Sequence, residues 1–157
     1  MALETKSTLN DKTVDKLQRL VQCNIDSKDG FREAAEEIDD NRVATLFREL
    51  ADQRSKLATE LQSHVAWNGK RPENDGSFAA SVHRTWIDLR AKLNGGDPYV
   101  ILIEAERGED HIKHAYEDVL KETAGSAVND VLIAQYGVVK AGHDQVRDLR
   151  DAYKNKA

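Results

Sequence analysis

The stretch Asn68-Gly-Lys-Arg-Pro-Glu-Asn-Asp-Gly-Ser-Phe-Ala-Ala-Ser-Val-His-Arg-Thr-Trp-Ile-Asp-Leu-Arg-Ala-Lys-Leu-Asn-Gly-Gly-Asp97 decides the fold. Its first part, Asn68 to Gly76, is rich in turn formers and has no large apolar residue, so it reads as a break in regular structure. Ser77 then supplies a helix N-cap, and Phe78, Val82, Trp86, Leu89 and Leu93 recur on one side of a short amphipathic helix that Gly95-Gly96 stop. A helix of about 17 residues is about 25 Å long at 1.5 Å per residue. That is close to the length of a helical bundle. The stretch can therefore carry the chain from one end of a bundle to the other, so that the elements it joins run in the same direction.

Both flanks are helical by the spacing of their apolar residues. The first helix is expected from about Asn10 to Ile38, with Leu17, Leu20, Val21, Phe31, Ala34, Ala35 and Ile38 on one stripe. Asp39 and Asp40 end it and cap the second, Asn41 to Trp67, which carries Val43, Leu46, Phe47, Leu50, Leu57, Ala58, Leu61 and Val65. Asp97-Pro98 places an N-cap before a proline at the first helical position. The helix it opens bears Ile101, Ala105, Gly108, Ile112, Ala115, Tyr116 and Val119, and Gly125-Ser126 turn the chain into the last helix, from about Ala127. That helix presents Val128, Leu132, Tyr136, Val139, Val146 and Tyr153 inward. No segment alternates as a strand does. Tight turns make two antiparallel hairpins, and the long link joins them in the topology of a ferritin-like bundle. The expected fold is all-α: one domain over residues 1–157, with its core at about 9–154, built as a ferritin-like four-helix bundle with a short fifth helix in the crossover.

Composition narrows the function. The 157 residues are 32% charged and 39% hydrophobic, with 2 Pro and 9 Gly, which suits long surface helices better than a sandwich or barrel. A net charge of −5 argues against a nucleic-acid partner, because phosphate binding needs a concentrated basic face. No apolar run reaches the ~20 residues of a membrane span, and the first residues do not resemble a signal peptide, so a cytoplasmic chain without a membrane partner is expected. Cys23 has no second cysteine to pair with. No nucleophile elbow, phosphate loop or Cys-x-x-Cys pair is present.

Polar residues on the inward stripes are the informative ones, because an unpaired buried polar group costs ~1–3 kcal/mol. At 100° per residue, Asn24 and Lys28 fall near the centre of the first apolar face and Arg54 at the centre of the second, with Glu109 at the edge of the third and Gln135 and His143 near the middle of the last. Aligning the hairpins by their turns sets Asn24 level with Arg54 and Glu104 level with His143, and the parallel middle helices bring Arg54 and Glu109 to similar heights. The favoured reading is a structural polar layer: Glu109 or Glu104 satisfies Arg54, and the amides of Asn24 and Gln135 fill the remaining bonds.

A di-metal carboxylate centre needs paired Glu-x-x-His motifs, and none of His64, His83, His111, His114 or His143 follows an acid by three residues. Arg54 and Lys28 would also oppose metal loading. The alternatives kept open are iron, manganese or zinc held by Glu104, Glu109, His111 and His143, and a small-molecule pocket beside Arg54. His111 with His114, the cluster Glu33, Glu36 and Glu37, and Cys23 read as solvated or inert groups. His83 and Trp86 read as a ridge that docks the crossover on the bundle.

Several blocks carry a family likeness: Asp29-Gly-Phe-Arg-Glu-Ala-Ala-Glu36, Glu60-Leu-Gln62, Gly76-Ser77, His83-Arg-Thr-Trp86, Glu104-Ala-Glu-Arg-Gly-Glu-Asp110, Gln135-Tyr136 and His143-Asp-Gln-Val-Arg-Asp-Leu-Arg-Asp151. From about Leu9 to Tyr153 the chain resembles a bacterial stand-alone family of uncharacterised ferritin-like four-helix-bundle proteins. Thr85, where that family usually has glycine, and His111, where it commonly has a small residue, depart from the pattern. The resemblance implies the bundle and no particular reaction. The expected function is a non-catalytic interaction or stress-associated accessory protein with no resident cofactor, self-associating through exposed helix faces. The competing expectation is a metal-binding protein with oxidase or peroxidase-type chemistry.

Overall fold

The computed structural model describes residues 4–76, Trp86, Leu89 and 96–154. Among the described residues all regular structure is helical and no strand is present: α1 (Asp11–Glu37), α2 (Asn41–Trp67), α3 (Pro98–Glu122) and α4 (Asn129–Lys154). The caps account for the boundaries. Asn10 accepts from the Thr13 amide, Asp40 from the amides of Arg42 and Val43, and Asp97 from that of Tyr99, with Pro98 in the first turn. Each carboxylate or amide oxygen satisfies donors that the first helical turn leaves unpaired. The last helix begins two residues later than its apolar pattern predicts. The carbonyl of Ser126 takes the Asn129 amide, and that of Val128 takes the amides of Val131 and Leu132, so the helical ladder starts only there.

The expected fifth helix lies outside the described residues except at Trp86 and Leu89, both helical. Leu89 is buried in one apolar cluster with Phe31, Phe47, Leu50, Leu102 and Val146. A second cluster, at the other end, gathers Leu17, Leu20, Leu61, Val65, Tyr116, Val119 and Leu132. Fully burying a side chain of this size contributes roughly 1.5–3 kcal/mol.

The clusters also give directions. α1 and α4 begin in the second cluster and end in the first, whereas α2 and α3 begin in the first and end in the second. Thus α2 and α3 are parallel. Helix α1 packs beside α2 and α3, and α4 beside α3 and α2, which leaves α2 and α3 on a diagonal.

Trp86 shows how the crossover is seated. Its ring meets Phe31 edge-on at 5.2 Å. A Cβ placed on Gly30 of α1 would lie well under 3.0 Å from the indole, and one on Gly108 of α3 would come within 3.1 Å. The two glycines open the groove between α1 and α3, and the tryptophan fills it. No helix among the described residues is long and apolar enough to cross a membrane.

Candidate functional site

The bundle axis is crossed by a fully buried ion pair. Arg54 Nη2 of α2 donates to Glu109 Oε2 of α3, and neither side chain is exposed to solvent. Because those helices are diagonal, the pair spans the core rather than a seam. Gly142 of α4 makes room for it: a Cβ there would lie 2.9 Å from Leu50 Cδ2, 3.0 Å from Arg54 Nη2 and 3.3 Å from Glu109 Oε2. Burial pushes the Glu109 carboxyl above its ordinary value, and the Arg54 charge pulls it back.

One level along the axis, a hydrogen-bond chain links all four helices. Asn24 Nδ2 of α1 donates to Tyr116 Oη of α3 at 2.9 Å, Tyr116 Oη donates to Gln135 Oε1 of α4 at 2.6 Å, and Gln135 Nε2 donates to Glu60 Oε1 of α2 at 2.7 Å. Asn24 also donates to the Leu20 carbonyl. Burial drives the Tyr116 hydroxyl well above the usual tyrosine range, so it remains a donor. Asn24 and Gln135 therefore bond to Tyr116, not to Arg54 as the sequence leads one to expect. Tyr116 has the spacing of an ordinary core aromatic, and nothing in that spacing marks it as the link between the two amides.

The remaining polar residues lie elsewhere. Lys28 is a quarter exposed, with its ammonium 3.5 Å from Asp29. Glu104 accepts from Arg107 at 3.3 Å. His143 is placed at the α3/α4 seam, where Nε2 is 2.8 Å from Asp110 Oδ1 and 3.9 Å from Glu106 Oε1, and Nδ1 is 3.4 Å from Asp144. Arg150 also pairs with Glu106. Glu104 and His143 are not level: the facing pairs Tyr116 with Gln135, Glu117 with Tyr136 and Asp110 with His143 are centred between Gly125 and Ala127, whereas Glu104 facing His143 would need a hairpin centred between Thr123 and Ala124. His111 is half-buried and His114 exposed. His83 lies outside the described residues.

Among the described residues no three His, Cys, Asp or Glu converge as a metal site. The donor chemistry at the axis does not fit a resident metal either, since the Glu109 oxygen that meets Arg54 is shared with a permanent cation. Cys23 is half-buried, and burial, reinforced by Asp26, pushes its thiol up to about 11, which disfavours the nucleophilic thiolate at neutral pH.

No curated protein matches the chain. A family model described as "Domain of unknown function (DUF2383)" matches residues 12–122, which take in α2, α3 and all of α1 but its first residue, with Arg54, Glu109 and Tyr116. The chain belongs to the DUF2383 family.

Proposed function

We propose that this protein is a ferritin-like bundle of bacterial, cytoplasmic type that works as a non-catalytic interaction or accessory protein, with its interior neutralised by side chains instead of metal ions. One observation carries the reading. At the centre of the bundle, where di-metal proteins of this topology gather carboxylates, Arg54 occupies the axis and takes Glu109 as its counter-ion. The parallel course of α2 and α3, and the crossover seated by Trp86, support the ferritin-like assignment. An Arg side chain keeps its charge at every physiological pH and opposes a second cation nearby.

The test is metal analysis of protein purified without chelator, combined with ferrous-oxidation and peroxide-consumption assays. The expected result is metal far below one equivalent and rates equal to those of buffer. Near-stoichiometric iron, manganese or zinc that is lost from a folded His143→Ala variant would overturn the reading in favour of oxidase or peroxidase-type chemistry. Light scattering of the same preparation measures whether the chain self-associates.

A further inference from the structure

The ion pair leaves three buried polar atoms without a protein partner among the described residues: Arg54 Nε, Arg54 Nη1 and Glu109 Oε1. Two more orphans belong to α1, Asn24 Oδ1 and Ser27 Oγ. The antiparallel register set by the Leu9–Asn68 hydrogen bond and the Phe31–Phe47 contact places Asn24 opposite Arg54. The orphaned donors of Arg54 thus lie at the height of two orphaned acceptors, Glu109 Oε1 and Asn24 Oδ1.

The four-helix chain fixes which way Asn24 points. Glu60 ends the chain as a carboxylate, which only accepts, so Gln135 must turn its NH₂ toward Glu60 and its oxygen toward Tyr116. Tyr116 then spends its proton on Gln135 and accepts from the Asn24 NH₂. Asn24 Oδ1 is left as an acceptor, and its orientation follows from the network rather than from an arbitrary amide choice.

We propose that the bundle axis contains a built hydration site, in which enclosed water accepts from Arg54 Nε or Nη1 and donates to Glu109 Oε1 and Asn24 Oδ1. Water matches this set, having two protons to give and two lone pairs to receive. The site lies toward α1, which carries Asn24 Oδ1; the α4 side is taken up by Gly142, where even a Cβ would come within 3.0 Å of Arg54 Nη2 and 3.3 Å of Glu109 Oε2. A neutral occupant is required. The pair carries no net charge, so an anion would face the Glu109 carboxylate and a cation the Arg54 guanidinium. With water in place, one continuous network runs from Glu60 at the surface through Gln135, Tyr116 and Asn24 to the axial pair. This does not depend on what the bundle binds outside.

A crystal structure of the full chain at near-atomic resolution, grown or soaked in sodium bromide, tests it. The expected result is a peak about 2.7–3.2 Å from an Arg54 nitrogen and from Glu109 Oε1 or Asn24 Oδ1, with no bromide anomalous signal there. Bidentate contact between Arg54 and Glu109 with no peak, or bromide at the position, would overturn the proposal. In solution, the Arg54 Nε proton of the wild-type chain should show a cross-peak at the frequency of long-lived water, and its absence would count equally against the site. The Asn24→Leu variant should lose the peak while Tyr116, Gln135 and Glu60 stay bonded; a peak unchanged in that variant also contradicts it.

Discussion

Replacing the two members of the axial pair separately and together gives the sharpest test of how the core is held. Removing one partner of a buried pair leaves an uncompensated charge and costs about 3–5 kcal/mol, whereas replacing both by apolar groups of similar volume is often neutral or stabilising by about 1–4 kcal/mol. Neither Arg54 nor Glu109 has any exposure through which the survivor of a single substitution could reach water. Arg54→Met and Glu109→Leu should therefore each lose about 3–5 kcal/mol, which for a domain of this size is about 6–20 °C in Tm. The double variant should recover most of that loss. The assay is urea unfolding followed by circular dichroism, with Tm as a second readout.

The two single variants should differ in pH dependence. In Arg54→Met only the upward push of burial acts strongly on Glu109, so the folded state holds a proton that the unfolded carboxyl releases near its ordinary value of 4.5. Above that value the folded state binds more protons than the unfolded, so stability falls as pH rises, and acidification from pH 7 toward 5 should restore part of the loss. Glu109→Leu has no such relief, because the guanidinium does not deprotonate. If both single variants lose less than about 1 kcal/mol, or if the double loses the sum of the two, the pair is not a coupled unit closed to bulk solvent.

The groove for Trp86 and the N-terminal segment make two further predictions. Gly30→Ala would drive a methyl into the indole, so it should release the crossover, lower Tm and shift tryptophan emission to the red; Gly137→Ala, at a helical site with nothing within 4 Å of its Cβ, should stabilise by about 0.5–1 kcal/mol. Equal effects of the two would show that Trp86 is not seated there. Glu4 bridges two helix starts, accepting from Ser126 Oγ and the Ala127 amide with one oxygen and from the Asn10 amide and Thr13 Oγ1 with the other. Its carboxyl is desolvated, which alone would raise it, yet these hydrogen bonds together hold it below 4.5. Its contribution should be full above pH 4.5 and vanish as pH falls through the lower folded value, so Glu4→Gln should lower Tm at pH 7 by the equivalent of about 1 kcal/mol and have a much smaller effect at pH 3. A deficit that does not shrink with acidification would refute it.

The helices and their caps were legible in the sequence because they are local. Asn10, Asp40 and Asp97-Pro98 act within one turn of where they stand, and a repeat of three and four needs no knowledge of the partner helix. Direction was legible too, since the segment from Asn68 to Asp97 is long enough to span a bundle. The side chains that the polar centre uses were harder to read. Arg54 and Glu109 are conspicuous as charges on or beside apolar stripes, but Tyr116 is amphipathic, and its hydroxyl acquires meaning only when Asn24 and Gln135 arrive from other helices. Gly30 and Gly108 look like weak points within helices until Trp86 fills the space above them.

His143 failed to meet Glu104 for a simpler reason: that pairing needs a hairpin centred between Thr123 and Ala124, and the actual centre near Ser126 moves the facing position by twice the difference, from Glu104 to Asp110, more than a turn away. Position along a helix is thus a local property and facing across a hairpin is not. The same distinction explains the outcome at the axis. Arg54 is long enough to reach across a diagonal and find Glu109, whereas the shorter amides of Asn24 and Gln135 are held to the Tyr116 hydroxyl that lies between them. The centre consequently separates into an ion pair and a neutral chain.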